Sequence, residues 1–198
     1  MAPDGGGLVV GDDGVARCGW GAAPDLYREY HDDEWGRPVH GERELFERLS
    51  LEAFQSGLSW LTILRKRPAF RRAFAGFDPE QVAGYGDSER ERLLGDAGIV
   101  RNRKKIDAVL ANAKAVLRVR DSVDGGLDSL LWSFAPSTRP PAAEALADLP
   151  SSTRESVALA KALKGHGFVF VGPTTAYATM QACGLVDDHL AGCHRRPG

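Results

Sequence analysis

The sequence predicts an all-α fold. Apolar residues recur at helical spacing through most of the chain, helix-start and helix-stop residues punctuate the intervals, and no convincing set of alternating strands or internal repeat is present. With 198 residues, the chain is long enough for one large domain or two closely packed helical lobes. A hydrophobic content of 43% can fill a core, while 26% charged residues suit a soluble surface.

Residues 1–16 are rich in glycine and aspartate and are expected to form a flexible extension, with residues 17–198 folded. This start lacks the basic and apolar regions of a secretory signal. No apolar run approaches a membrane span. Three widely separated cysteines do not make a disulfide scaffold, so a reducing cytoplasm is expected. A net charge of -2 leaves any nucleic-acid contact to a local basic patch.

Pro24 suits the first turn of a helix through Leu26, Tyr27, Tyr30 and His31, which Gly36 and Pro38 end. The next helix, GERELFERLSLEAFQ, carries Leu45, Phe46, Leu49 and Ala53 on one stripe. Glu52 lies on the flank of that stripe. It is either a rim glutamate whose head reaches water or a carboxylate turned into the core, which is costly unless something hydrogen-bonds to it. Trp20, Tyr27, Tyr30, Trp35 and Trp60 surround it in sequence and favour the second reading.

Ser59 is the expected N-cap of a third helix, with Trp60, Ile63 and Leu64 inward, Arg65 to Arg67 at its end and Pro68 interrupting it. Phe70, Phe74 and Phe77 extend the apolar supply. Asp78-Pro79-Glu80-Gln81 starts a further helix, and Ser88 with Glu91 forms a capping pair for the next. A long amphipathic helix through Ile106, Val109, Leu110, Ala113, Val116 and Leu117 follows. Leu127–Phe134 is a short helix carrying Trp132. Ser152 and Glu155 cap a helix holding Val157, Ala160 and Leu163. Phe168–Val171 is apolar but too short to type, and Pro173 starts the last helix, through Tyr177, Met180 and Cys183, which Gly184 stops.

Two clusters suggest chemistry. Cys18 and His31 near the start, with His189 and Cys193 near the end, comprise two thiolates and two imidazoles, a tetrahedral zinc set. Four protein ligands would leave no open position, so such a zinc would be structural. The alternative is four unrelated residues, with the cysteines as small buried side chains. Between Leu93 and Ile106, a glycine turn at Gly98 leads into a helix start flanked by Arg101, Arg103, Lys104 and Lys105. Exposed amides at a helix N-terminus with added positive charge suit a phosphate of a DNA backbone. An ordinary solvated turn reads equally well.

Several motifs, in order, resemble the DNA-3-methyladenine glycosylase I family of the helix-hairpin-helix superfamily. They are Cys18-Gly19-Trp20, Tyr30-His31-Asp32-Asp33-Glu34-Trp35-Gly36, Leu51–Trp60 (LEAFQSGLSW), Ala97-Gly98-Ile99, Gly167–Thr175 (GFVFVGPTT) and Met180–His189 (MQACGLVDDH). The resemblance runs from about Arg17 to about Cys193. It implies an all-α helix-hairpin-helix glycosylase with zinc on Cys18, His31, His189 and Cys193, joining the N- and C-terminal segments. It also implies excision of 3-methyladenine from alkylated double-stranded DNA in base excision repair, by a monomer of the bacterial cytoplasm or nucleoid. By the same resemblance, Glu52 reads the base, Tyr30 and Trp60 line its pocket with Trp20 and Trp35 nearby, and the Gly98 hairpin with Arg101, Arg103 and Lys104 grips the backbone. Asp187 departs from the family, where Asn is expected, beside the ligand His189. The superfamily's catalytic aspartate has no convincing counterpart, and Asp107 reads as a solvated helix position.

The implied chemistry is physically sensible. Methylation at N3 makes the adenine cationic and weakens its bond to the sugar. The protein then has to extrude the nucleotide and hold a cationic ring, tasks suited to aromatic faces and to a carboxylate that prefers the charged base over neutral adenine. A binding module without activity could use the same pocket. A zinc hydrolase would instead need an open metal position.

Overall fold

The computed structural model describes residues 6–196. Of the expected extension, residues 1–5 lie outside the described residues. From Gly6 onward the rest of that segment lies against the domain and contributes to a two-stranded sheet, which corrects the expected absence of strands. Strand β1 (Leu8–Val10) pairs antiparallel with β2 (Ala16–Cys18), placing Leu8 opposite Cys18. The Gly7 carbonyl accepts from the Gly19 amide at 2.8 Å and the Gly6 carbonyl from the Leu146 amide at 2.7 Å. A side chain at Gly192 would run into Leu8 Cδ1 at 2.9 Å.

All other regular structure among the described residues is helical: α1 (Asp25–Asp33), α2 (Glu42–Gln55), α3 (Trp60–Ala73), α4 (Pro79–Ala83), α5 (Asp87–Gly95), α6 (Arg103–Ser122), α7 (Gly126–Trp132), α8 (Arg154–Gly165) and α9 (Pro173–Ala182), with short 3-10 turns between some of them. Helix α2 is the axis of the fold and packs against α3, α6, α7 and α9. Every residue from Leu45 to Phe54 is buried. A helix surrounded on all sides has no rim, and Glu52 is accordingly only 7% exposed. Its flank position on a single stripe is therefore misleading, and the reading that turns it inward holds.

Three local expectations are corrected. Helix α3 continues through Pro68 to Ala73. Pro68 lies on the exposed side of α3, where an unpaired carbonyl can meet water, and Ile63, Leu64, Arg67 and Phe70 pack inward on both sides of it. Helix α5 starts earlier than the Ser88–Glu91 pair implies: Gly86 is the N-cap, and its amide donates to Glu89 Oε2 at 3.1 Å. Helix α8 is capped by Thr153 with Ser156, in place of Ser152 with Glu155, and Val157 is exposed. Ser59 and Asp78 cap α3 and α4 as expected. The Phe168–Val171 segment is neither helix nor strand, with Phe168 and Val171 buried and Val169 and Phe170 exposed.

One close approach fixes the site. The Gly36 amide donates to Gln181 O at 3.2 Å and the Val39 amide to Cys183 O at 3.0 Å, so the exit from α1 is laid against the end of α9. Gly184 has φ +74°, and a Cβ there would lie 2.5 Å from the Arg37 carbonyl carbon. Only glycine lets the two segments meet.

Candidate functional site

The chain ends converge. Ligand atoms of Cys18, His31 and Cys193, all buried, lie within 4.8 Å of one another. The His31 Nε2 is 3.5 Å from the Cys193 Sγ. Its Nδ1 is 2.8 Å from Asp32 Oδ1, and Arg17 and His194 also hold Asp32. His189, whose ring centroid is 5.0 Å from that of His31, repeats the arrangement, with Nδ1 2.9 Å from Asp187 Oδ1. A carboxylate on each Nδ1 fixes the tautomer and leaves Nε2 as the available lone pair. The His189 Nε2 is buried with no hydrogen-bond partner among the described residues. Two thiols, one imidazole lone pair beside them and a second that is orphaned fit a tetrahedral metal ion of the zinc type. Asp187, where the family resemblance implies Asn, is the carboxylate that meets the His189 Nδ1, and Cys183 is core.

Two glycines make room for the imidazoles. A Cβ on Gly21 would fall 2.5 Å from the His31 ring, and one on Gly36, at φ +74°, 2.7 Å from the His189 Cε1.

The indoles lean on this cluster. Trp20 stands edge-on to His31 at 5.2 Å and to Trp35 at 5.0 Å, and Trp35 is 4.6 Å from His189. Beyond them opens a cavity of ≈ 260 Å³, walled by Trp20, Trp35, Tyr30 and Trp60, with Glu52 in the lining. Tyr30 and Trp60 lie 5.4 Å apart. The structure thus brings together all five residues of the sequence-predicted pocket.

Sequence reasoning missed four lining residues: Tyr27, Gln55, Ala178 and Gln181. Tyr27 was visible as a neighbour of Tyr30 on one helical face, but its task was not. Its hydroxyl accepts from the Leu61 amide at 2.8 Å and ties the start of α3, with Trp60, to α1. Gln55 follows Glu52 by three residues and shares its face, a spacing that could have found it. Nothing local marks Gln181, which arrives from α9.

No described residue donates a hydrogen bond to the Glu52 carboxyl. Burial raises its pKa from 4.5 to about 8, against a smaller downward pull from the Arg48 positive charge. On its own, Glu52 therefore carries a proton at neutral pH, where the sequence had suggested a standing negative charge. Burial, and then the Glu52 charge, likewise hold the Tyr30 phenol above its ordinary range.

The Gly98 turn is less open than its glycine suggests. Asp96 Oδ1 takes the Gly98 amide at 2.7 Å, Lys66 Nζ takes the Ala97 and Gly98 carbonyls, and Asn102 caps α6 through the Lys105 amide. Arg101, Arg103 and Lys104 are exposed, and Arg103 lies 3.6 Å from Glu91. Lys105, grouped with them in sequence, is instead buried. Its Nζ donates to the carbonyls of Phe54 at 2.8 Å and Ser56 at 2.5 Å, at the end of the Glu52 helix.

Comparison with known proteins follows the same lines. A family model described as methyladenine glycosylase matches residues 20–196. The chain is 47% identical over 186 residues to DNA-3-methyladenine glycosylase 1 of Escherichia coli (strain K12), covering 93% of this chain and 98% of that protein. A crystal structure of 3-methyladenine DNA glycosylase I superposes with a TM-score of 0.87 at 46% identity, covering 91% of this chain and all of the other. A Staphylococcus aureus 3-methyladenine DNA glycosylase I, solved to give the structural basis of 3-methyladenine recognition, superposes at 0.86 with 36% identity, covering 92% and 97% of the two chains.

Proposed function

The chain belongs to the methyladenine glycosylase family, and on that footing we propose that it hydrolyses the N-glycosidic bond of 3-methyladenine in alkylated DNA. One observation of its own carries the reading: a buried carboxyl, unpartnered among the described residues, lines an aromatic cavity the size of a small ligand.

The nucleotide is extruded and its base enters between Tyr30 and Trp60, whose faces attract a cationic ring. At pH 7, releasing the Glu52 proton costs about 1.4 kcal/mol, the price of one pH unit below about 8. A positive charge about 4 Å away returns roughly 4 kcal/mol at the effective dielectric of a protein site. The methylated base therefore draws Glu52 into its ionised form, whereas neutral adenine brings no such term. The cationic base is already a good leaving group, so bond cleavage needs only that it be held while water attacks the sugar carbon. The aromatic walls exclude bulk water from the base itself.

Cys18, His31, His189 and Cys193 would hold a zinc ion. When bound, it supplies a tie between the chain ends, with no open position for substrate. The α5–α6 turn would serve as the hairpin on the DNA backbone. With the Gly98 amide committed to Asp96, that contact falls mainly to the exposed Arg101, Arg103 and Lys104. Among the described residues, no helix is long and apolar enough to cross a membrane.

The test is incubation with methylated duplex DNA followed by chromatography of the released bases. Release of 3-methyladenine is expected, together with loss of release in Glu52→Gln. A protein that binds such DNA and releases no base would refute the reading.

A further inference from the structure

Behind the aromatic wall runs a chain of charges that the reading above leaves without a task. Arg48, on α2 one turn before Glu52, is buried. Its Nη2 donates to Glu34 Oε2 at 2.8 Å. The same oxygen accepts from Arg67 at 2.6 Å, Arg67 also donates to Glu47 at 2.6 Å, and Arg71 lies 2.9 Å from Glu47. Three guanidinium groups thus share two carboxylates, which leaves one positive charge over. Arg71 is half exposed and meets water, whereas the buried Arg48 has only the Glu34 oxygen that it shares with Arg67. Arg48 Nη1 is buried with no hydrogen-bond partner among the described residues, and its guanidinium carbon stands 6.0 Å from the centre of the Tyr30 ring. Tyr30 is the pocket wall, and Glu52 is the next carboxyl along α2.

We propose that Arg48 is a positioning residue for the proton of Glu52: its buried, incompletely matched charge stabilises the carboxylate, so that Glu52 ionises when a cationic base arrives. This rests on Glu52 being the base-binding group. The other titratable groups grouped around it are Tyr30 on α1, Glu34 just beyond the end of α1 and Cys183 just beyond α9. Burial keeps the tyrosine and the cysteine protonated, and Glu34 is matched by arginines. Arg48 is then the cation acting on Glu52. Without it, burial would act unopposed and hold the carboxyl in its acid form more strongly.

The test follows the Glu52 carboxyl by carbon NMR, its signal identified by its absence in Glu52→Gln, alongside kcat/KM on methylated duplex DNA from pH 6 to 10. Arg48→Met is expected to raise the Glu52 midpoint by one pH unit or more. Its activity should fall at least tenfold at pH 7 and recover as pH rises. Arg48→Lys keeps the charge and should keep the midpoint. Glu34→Gln leaves Arg48 less neutralised and should lower the midpoint, which tests the idea even if Arg48→Met does not fold. An unmoved midpoint in folded Arg48→Met, an activity loss equal at every pH, or an upward shift in Glu34→Gln would overturn the proposal. Full activity in Glu52→Gln would instead remove the role of Glu52, while the NMR midpoints would still judge Arg48.

Discussion

Replacing Glu52 by glutamine separates what the residue does for the fold from what it does for the base. The carboxyl is buried, its pKa lies near 8 in the folded protein, and its ordinary value is 4.5. Between those values the folded state holds a proton that the unfolded state has released, so the wild type loses stability as pH rises. The loss starts near pH 4.5 and is complete above about 8. At 1.36 kcal/mol per pH unit it reaches roughly 3 kcal/mol at pH 7 and about 5 kcal/mol at its limit. Glutamine has nearly the same shape and no proton to lose, and no hydrogen bond to a described residue is broken. Urea unfolding at pH 5, 7 and 8.5 should therefore give Glu52→Gln a stability advantage that is small at pH 5 and widens to several kcal/mol, while base excision is lost and metal content is unchanged. Stability curves that run parallel across this range would show that Glu52 is not desolvated, and the electrostatic account of the pocket would go with them.

Trp60→Ala removes one face of the pocket and should weaken binding of free 3-methyladenine by about 1–3 kcal/mol, measured by calorimetric titration, with helicity intact. Gly36→Ala puts a methyl group where His189 lies 2.7 Å away, at φ +74°; lower zinc content by atomic absorption and a lower Tm are expected. Lys105→Met leaves the Phe54 and Ser56 carbonyls without their buried donor and should cost about 1–3 kcal/mol in chemical unfolding. The double variant Arg101→Ala, Lys104→Ala should reduce the salt dependence of DNA affinity by one to two phosphate contacts while leaving affinity for the free base unchanged.

The helices were legible because helical periodicity is a local signal, and so were the caps at Ser59 and Asp78. Pro68 does not end the helix: it lies on the exposed side of α3, and Ile63, Leu64 and Phe70 pack inward on both sides of it, an arrangement set by tertiary packing and not by the local sequence. The residues that wall the cavity and those of the cysteine–histidine cluster stood out in the sequence as motifs resembling a known family. Their ionisation did not: the neutral state of Glu52 comes from burial on every side of α2, to which α3, α6, α7 and α9 all contribute. Lys105 shows the same limit. In sequence it continues a basic run, yet one turn of helix separates a cation in water from one bonded to the carbonyls of Phe54 and Ser56. The Arg48, Arg67 and Arg71 network was silent because its members sit on two helices and owe their meaning to a count of charges across them.

The small sheet has a consequence for how the protein ages. Residues 6–10 precede the segment matched by the family model, which begins at residue 20, yet Leu8, Val9 and Val10 pair residue for residue with the strand that ends in Cys18, and Leu8 lies beside Gly192, next to Cys193. Peeling the three paired residues of β1 away would free about 10 Å of chain, at roughly 3.3 Å for each strand residue. Cys18 and Cys193 are both buried, so a reagent that attacks thiols is expected to reach them faster once that pairing opens. The lifetime of these thiols under oxidation is thereby expected to depend on a glycine-rich segment that lines neither the cavity nor the cysteine–histidine cluster.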